Sequence, residues 1–400
     1  MDLLITILKG LVTIFYNPFF YVLVAALFLI GWQRVRRERL SFGLKAYGVF
    51  NTVVSSVGPS LLLALAGTVL FIGLGVALPA GVIVLITVCS FLLLLTGQLH
   101  YFTGTLSVAM AIGLTAIFPD LDTNFSILNR WIKEIRGASL TDLGVILAVV
   151  LLLEACAILL WGHQQLSPRL INSKRGKKVG AVEANRLWIV PLFLLLPDAG
   201  GAIHSGAWWP LSDGQSFGVC ALPLGLSIQQ FITHDLPKPA IRRSGYWLLM
   251  TGVVTAILIA FGYILDIAWL ALIAAGLALL SRLALVLKHF YDHTVKPFYF
   301  IDQGNGLRVV GVIHHTPAER MGVQIGEIID KVNGVTVRNE EAFYRALQIK
   351  PTYCKMEVLD HNGEPRFVKG AIHENDLHHI GLLFLEPSRR VKEKHANTND

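Results

Sequence analysis

Charge is scarce in this 400-residue sequence: 15% of its residues are Asp, Glu, Lys or Arg, and 54% are hydrophobic. A soluble protein carries about one-quarter charged residues. The deficit gathers in runs such as "LLLALAGTVLFIGLGVAL" (61–78), and the mean hydropathy is +0.59. These features place the chain among membrane proteins and exclude an ordinary soluble enzyme. Cysteine is scarce as well. Cys89, Cys156 and Cys220 lie within apolar runs, Cys354 lies beyond them, and none shows CxxC spacing. Neither a disulfide framework nor a zinc site is expected. Also missing are H-E-x-x-H, G-x-S-x-G and a Ser–Lys pair in a suitable setting. The chain is therefore expected to be no enzyme and to carry no metal or cofactor. No small-residue cleavage site separates the first apolar run from "RVRRER" (34–39), so that run is expected to remain as a membrane anchor.

What is abundant is apolar sequence in lengths near the roughly 20 residues a spanning helix needs. Runs occur near 15–32, 57–78, 80–97, 101–118, 142–161, 187–203, 216–233, 245–264 and 267–287. Several are marginal, and Pro191, Pro197 and "HSGAWWPLSDGQ" (204–215) interrupt the 187–233 region. The expectation is a polytopic α-helical membrane domain of about eight spans, with seven to nine allowed. The net charge of +7 gathers in clusters at 34–39, 173–178 and 238–243. Such clusters orient helices and meet anionic lipid headgroups; nucleic acid is not implied. Span parity puts all three on one face together with the C-terminal region, which the positive-inside rule makes cytoplasmic. Trp208 and Trp209 fall on the opposite face. So does "DTNFSILNRWIKEIR" (122–136), whose Arg130, Lys133 and Arg136 run against the rule.

From about residue 297 the periodicity changes. "GLRVVGVI" (306–313), "KMEVLD" (355–360), "RFVKGAI" (366–372) and "HIGLLFL" (379–385) read as strands, with "HNGE" (361–364) as a hairpin turn. "TPAERMG" (316–322) reads as a short helix with Thr316 as N-cap, Pro317 first inside it and Gly322 as its left-handed stop. "NEEAFYRALQI" (339–349) reads as a second helix with Ala342, Phe343, Ala346 and Leu347 on one stripe. The expected organisation is a membrane domain over 1–290, a small α+β domain over 297–386 and a disordered tail over 387–400.

The order "TPAERMG", "GEIIDKVNGV", second helix, hairpin resembles a PDZ domain of the bacterial type. Gly322, Gly326, Asn333 and Gly334 are then turn-builders and no part of a site. In such domains a peptide adds as a strand to an open sheet edge beside the second helix, and a free carboxylate sits in a nest of backbone N–H groups. The closest match to the usual carboxylate loop is "IGLLF" (380–384). The resemblance thus implies a groove made by Ile380, Gly381 and Leu382, facing Phe343, Ala346 and Leu347; packing in the core is the competing role for each of the six.

A polytopic half followed directly by one such domain, ending "LDHNGEPRFVKGAIHENDLHHIGLLF", is similar to the MinJ family of cell-division topological determinants. The resemblance implies an adaptor at division septa and cell poles that links the scaffold DivIVA to the ATPase MinD, so that MinC restricts Z-ring assembly. Further divisome membrane proteins are possible partners.

Two other function classes remain open on the residues alone. One is a transporter or permease-like protein regulated by its PDZ domain. Glu154, an ionisable residue deep in an apolar run, and the broken 191–225 region point that way. The competing role for Glu154 is a bond to a neighbouring helix; Asp198 and Asp266 sit only at span ends. The other class is a non-catalytic partner of a membrane protease. The pairs His314–His315 and His378–His379 lack companions at metal-binding spacing and read as surface histidines.

Overall fold

Long apolar helices form where the sequence runs without charge. The computed structural model describes residues 2–43, 47–120, 122–173, 176–197, 203–204, 216–301, 304–314, 316–372 and 380–385. Helix α1 (Asp2–Tyr16) leads into α2 (Pro18–Phe42), where Asn17 caps the start by accepting a hydrogen bond from Phe19 N–H. There follow α3 (Val49–Leu74), α4 (Ala80–Leu95), α5 (Gly104–Ile117), α6 (Ser126–Arg136) and α7 (Leu140–Trp161). Strands β1 (Ser167–Asn172), β2 (Lys178–Pro197), β3 (Ile203–His204) and β4 (Ser216–Ile232) come next, then α8 (Pro237–Ile264) and α9 (Leu270–Val295).

Among the described residues five helices, α2, α3, α7, α8 and α9, are long and apolar enough to cross a membrane. This corrects the expected eight. Helices α4 and α5, with 16 and 14 residues, fall short of the roughly 20 needed. The runs at 187–203 and 216–233 are not helices where described: they belong to β2 and β4, which pair antiparallel from Val182↔Ile232 to Pro197↔Phe217. Trp208, Trp209 and Asp198 lie outside the described residues. The outer faces of the long helices expose large apolar side chains, including Leu61, Leu65, Val69, Met250, Ile257 and Phe261. A surface of that kind suits lipid and would aggregate in water.

The β2–β4 pairing explains how strands survive among apolar helices. Pro191 stands directly opposite Pro223. Neither has an N–H, so this is a non-hydrogen-bonded pair whose nitrogens point away from the partner strand. Phe193 and Ala221, two residues on, share that orientation. The Phe193 N–H donates to Thr68 Oγ1 on α3 (3.1 Å) and the Ala221 N–H to Thr13 Oγ1 on α1 (2.8 Å). The Leu195 carbonyl accepts from Leu78 N–H at 2.9 Å. Proline thus removes two outward donors and threonine hydroxyls cap two more, which satisfies the backbone where water is excluded. The largest core cluster joins these strands to the helices through Trp188, Leu192, Leu222 and Leu224 against Phe71, Ile112 and Leu147.

The C-terminal module comprises β5 (Leu307–Val312), α10 (Pro317–Arg320), β6 (Ile328–Val332), β7 (Val335–Thr336), α11 (Glu340–Gln348), β8 (Tyr353–Leu359), β9 (Pro365–Ala371) and β10 (Leu382–Phe384). Its main sheet runs β10-β5-β6-β8-β9, and β7 pairs with β6. It has its own core, centred on Phe343, Ile329, Val332, Met356 and Phe384. The module packs against the membrane part. Gly180 N–H donates to Phe300 C=O (3.0 Å), and Tyr299 N–H to Thr233 C=O (2.7 Å). Arg34 lies 4.6 Å over the Tyr47 ring, which stacks in turn on His314 with centroids 5.7 Å apart. Burial pushes the Tyr47 phenol pKa above its ordinary value.

Candidate functional site

The module is assembled by turns whose chemistry is visible in the sequence. Thr316 precedes α10 with Pro317 first inside it, and Gly322 and Gly326 have φ of 78° and 99°. Behind them, Arg366 grips the buried Glu327 carboxylate through Nε (2.8 Å) and Nη2 (2.9 Å), while the Glu327 carboxylate also accepts from Gln324 N–H. That bidentate pair holds the loop before β6 and raises the Arg366 pKa.

Asn333 does more than turn the chain. At φ 49° it donates from Nδ2 to the Ala346 carbonyl (3.0 Å) and accepts from Lys355 N–H (3.1 Å). It thereby fixes α11 against the sheet. Asn339 caps α11 by accepting from Ala342 N–H at 2.7 Å.

Strand β10 lies at the end of the sheet, antiparallel to β5 with Leu382 opposite Val312. Helix α11 sits beside it, with the Phe343 and Phe384 rings 4.9 Å apart edge to face. The six groove candidates are therefore brought together at one edge: Ile380, Gly381 and Leu382 lead into β10, and Phe343, Ala346 and Leu347 line the inner face of α11. All six are buried. Apart from Gly381, which has no side chain, all of them belong to the core cluster of the module.

Gly381 has φ 89°, and a Cβ there would overlap the Thr316 side chain. Both facts require glycine. The Gly381 carbonyl accepts from Ile313 N–H at 2.8 Å and the Ile380 carbonyl from Ala318 N–H at 3.0 Å. The loop is thus tied to β5 and α10.

Outside the module, Glu154 forms an ion pair with Arg282 at 2.8 Å and accepts from Thr105 Oγ1 at 2.6 Å; Arg282 also donates to the Ser227 carbonyl. Glu154 was expected from the sequence to stand apart, and Arg282 was not. Its signal was available, because "LLSRLALV" places an ionisable residue in an apolar run by the same rule. The broken 191–225 region is a strand pair where described, not a pair of interrupted helices. His314 pairs with Glu319, while His315, His378 and His379 lie outside the described residues, as does the expected tail over 387–400. Among the described residues no three His, Cys, Asp or Glu side chains converge as a metal site would require.

Comparison with known proteins agrees with this architecture. The PDZ domain family matches residues 308–355. The chain is 31% identical over 391 residues to the cell division topological determinant MinJ of Bacillus subtilis (strain 168), covering 96% of each chain. It is 29% identical over 228 residues to the probable cell division topological determinants MinJ of Lacticaseibacillus paracasei and Lacticaseibacillus casei (strain BD-II), covering 56% of this chain and 59% of each relative. No solved structure matches the chain. Apolar helices followed by a PDZ module, with similarity running through nearly the whole length, lead to one conclusion: this chain belongs to the MinJ family of cell division topological determinants.

Proposed function

We propose that the protein is a membrane-anchored adaptor in division-site selection, joining a DivIVA-like polar scaffold to a MinD-like ATPase so that MinC acts away from the proper division plane. The observation that carries this reading is the terminal strand β10 beside α11 in a module of the PDZ family. A strand edge supports binding by strand addition, in which backbone bonds supply much of the affinity. The partner strand would lie along residues 380–384, between β10 and α11. The module faces the cytoplasm in this reading: the clusters at 34–39 and 238–243 lie at its end of the molecule, where Arg34 stacks on Tyr47 and Leu236 approaches Gly326. Held at the membrane, the module meets cytoplasmic partners at raised effective concentration.

The permease-like alternative loses support, since Glu154 is paired and residues 191–197 and 216–225 belong to strands rather than interrupted helices. A functional fluorescent fusion in dividing cells tests the adaptor reading. Enrichment at septa and poles that depends on the scaffold is expected. Uniform labelling of the membrane would count decisively against it.

A further inference from the structure

A cleft of about 580 Å³ opens at the end of the membrane part that carries the module. Arg37 of α2 and Arg169 of β1 share one carboxylate there, that of Glu183 on β2. Arg37 Nη1 lies 3.2 Å from Oε1 and Arg169 Nη1 lies 3.1 Å from Oε2. Two guanidiniums on one carboxylate leave a net charge of +1. Each guanidinium has five N–H donors in a planar fork suited to phosphate, so most of their donors remain for a second anion.

The wall continues as a stack: Arg169 lies 5.6 Å over the Phe231 ring, and Phe231 stacks on His293 with centroids 5.0 Å apart. Deeper in, His100 bonds Gln229 and His289 bonds Ser244. Part of the rim on α9 is apolar. Leu287 and Phe290 of α9 line the cleft and are 58% and 69% exposed on a helix long and apolar enough to span. Part of the cleft is thus basic and part faces lipid, which is the profile of an anionic amphiphile; basic pockets between spanning helices on the positively charged face bind acidic headgroups.

We propose that this cleft holds an anionic phospholipid, its phosphate between Arg37 and Arg169 and its acyl chains along Leu287 and Phe290. Glu183 spaces the two guanidiniums and limits the affinity by competing with the headgroup. The site concerns the membrane part alone and does not depend on what the PDZ module binds.

The test uses full-length protein in nanodiscs of phosphatidylcholine doped with phosphatidylglycerol, with bound lipid read by native mass spectrometry after gentle release. The wild type is expected to retain phosphatidylglycerol at least tenfold over its share of the bilayer. The charge-balanced variant R37Q/R169Q/E183Q should lose that enrichment. E183Q alone, which frees both guanidiniums, should raise it several-fold. R39Q, an exposed position in the same basic cluster, should leave it unchanged. Circular dichroism and gel filtration establish that each variant is folded, and the gain in E183Q cannot come from misfolding. Equal retention of the two lipids by the wild type overturns the proposal. So does enrichment that survives in the triple variant or fails to rise in E183Q. Binding of inorganic phosphate that the triple variant loses, with no phosphatidylglycerol enrichment in the wild type, would equally overturn it, because the site would then take a free phosphate and not a lipid.

Discussion

Arg282 on α9 and Glu154 on α7 form an ion pair 2.8 Å long, with side chains 6% and 0% exposed. Two ions in an apolar setting are tolerated only together: losing one leaves an uncompensated buried charge, while losing both leaves none. Either Glu154→Leu or Arg282→Met alone should destabilise the protein by about 3–5 kcal/mol. The double variant should recover most of that loss. Thermal unfolding in detergent measures the cycle, and strictly additive losses would rule the coupling out.

The threonine caps on the β2–β4 pair make a second prediction. Thr68→Val and Thr13→Val keep shape but leave the Phe193 and Ala221 N–H groups without their hydroxyl acceptors. Each should cost about 1–3 kcal/mol, and the Thr→Ser variants should cost much less. A loss for serine with none for valine would mean that the methyl group, not the hydroxyl, matters.

Gly381 is a structural glycine before it is a probe of any groove. Gly381→Val meets both the positive φ and the Thr316 side chain. It should unfold or loosen the edge of the module, with a backbone cost alone of roughly 1–3 kcal/mol. Limited proteolysis of the full-length protein should cut the module faster, near β10. A variant as resistant as the wild type would show that the loop adapts.

Asp360 orders the β8–β9 hairpin by accepting from Asn362 N–H (2.8 Å) and Glu364 N–H (2.9 Å). These backbone bonds, Glu364 first, hold its carboxyl below the usual range. A lowered folded-state pKa stabilises the hairpin above the ordinary Asp range, and that stability fades as pH falls through the folded value. Amide exchange at residues 361–364 should quicken across that acid window. Asp360→Asn should abolish the pH dependence; its persistence would point to another group.

Cys354 is buried in the module core, and burial pushes its thiol pKa up to about 12. A maleimide should therefore label it slowly at neutral pH and quickly in denaturant. Fast labelling of the native protein would mean that the module opens. Cys354 is consequently a poor reporter of which membrane face the module occupies.

The module was largely legible in the sequence because its signals are local. Positive-φ turns at Gly322, Gly326 and Asn333–Gly334, an Asn339 cap and period-two strands depend on neighbours a few residues away. The membrane part divided differently. Runs of about 20 apolar residues with a polar end, such as Leu140–Trp161, identify helices by length alone. The runs around Pro191 and Pro223 could not be read that way, since an apolar stretch buried on both faces looks the same as strand or helix. The pairing of the two prolines across the sheet, and the reach of Thr13 and Thr68 from distant helices, satisfy the strand backbone there and exist only in the folded chain. The same limit applies to the ionic contacts. Glu154 announced itself as a charge in the wrong medium, but its partner lies 128 positions along the chain, and Arg37, Arg169 and Glu183 come from three separate elements. Composition and short-range spacing determined that this protein has helices long and apolar enough to cross a membrane and a PDZ module. Which charges meet, and where a cleft opens between them, was decided by packing, because those distances exist only once the chain has folded.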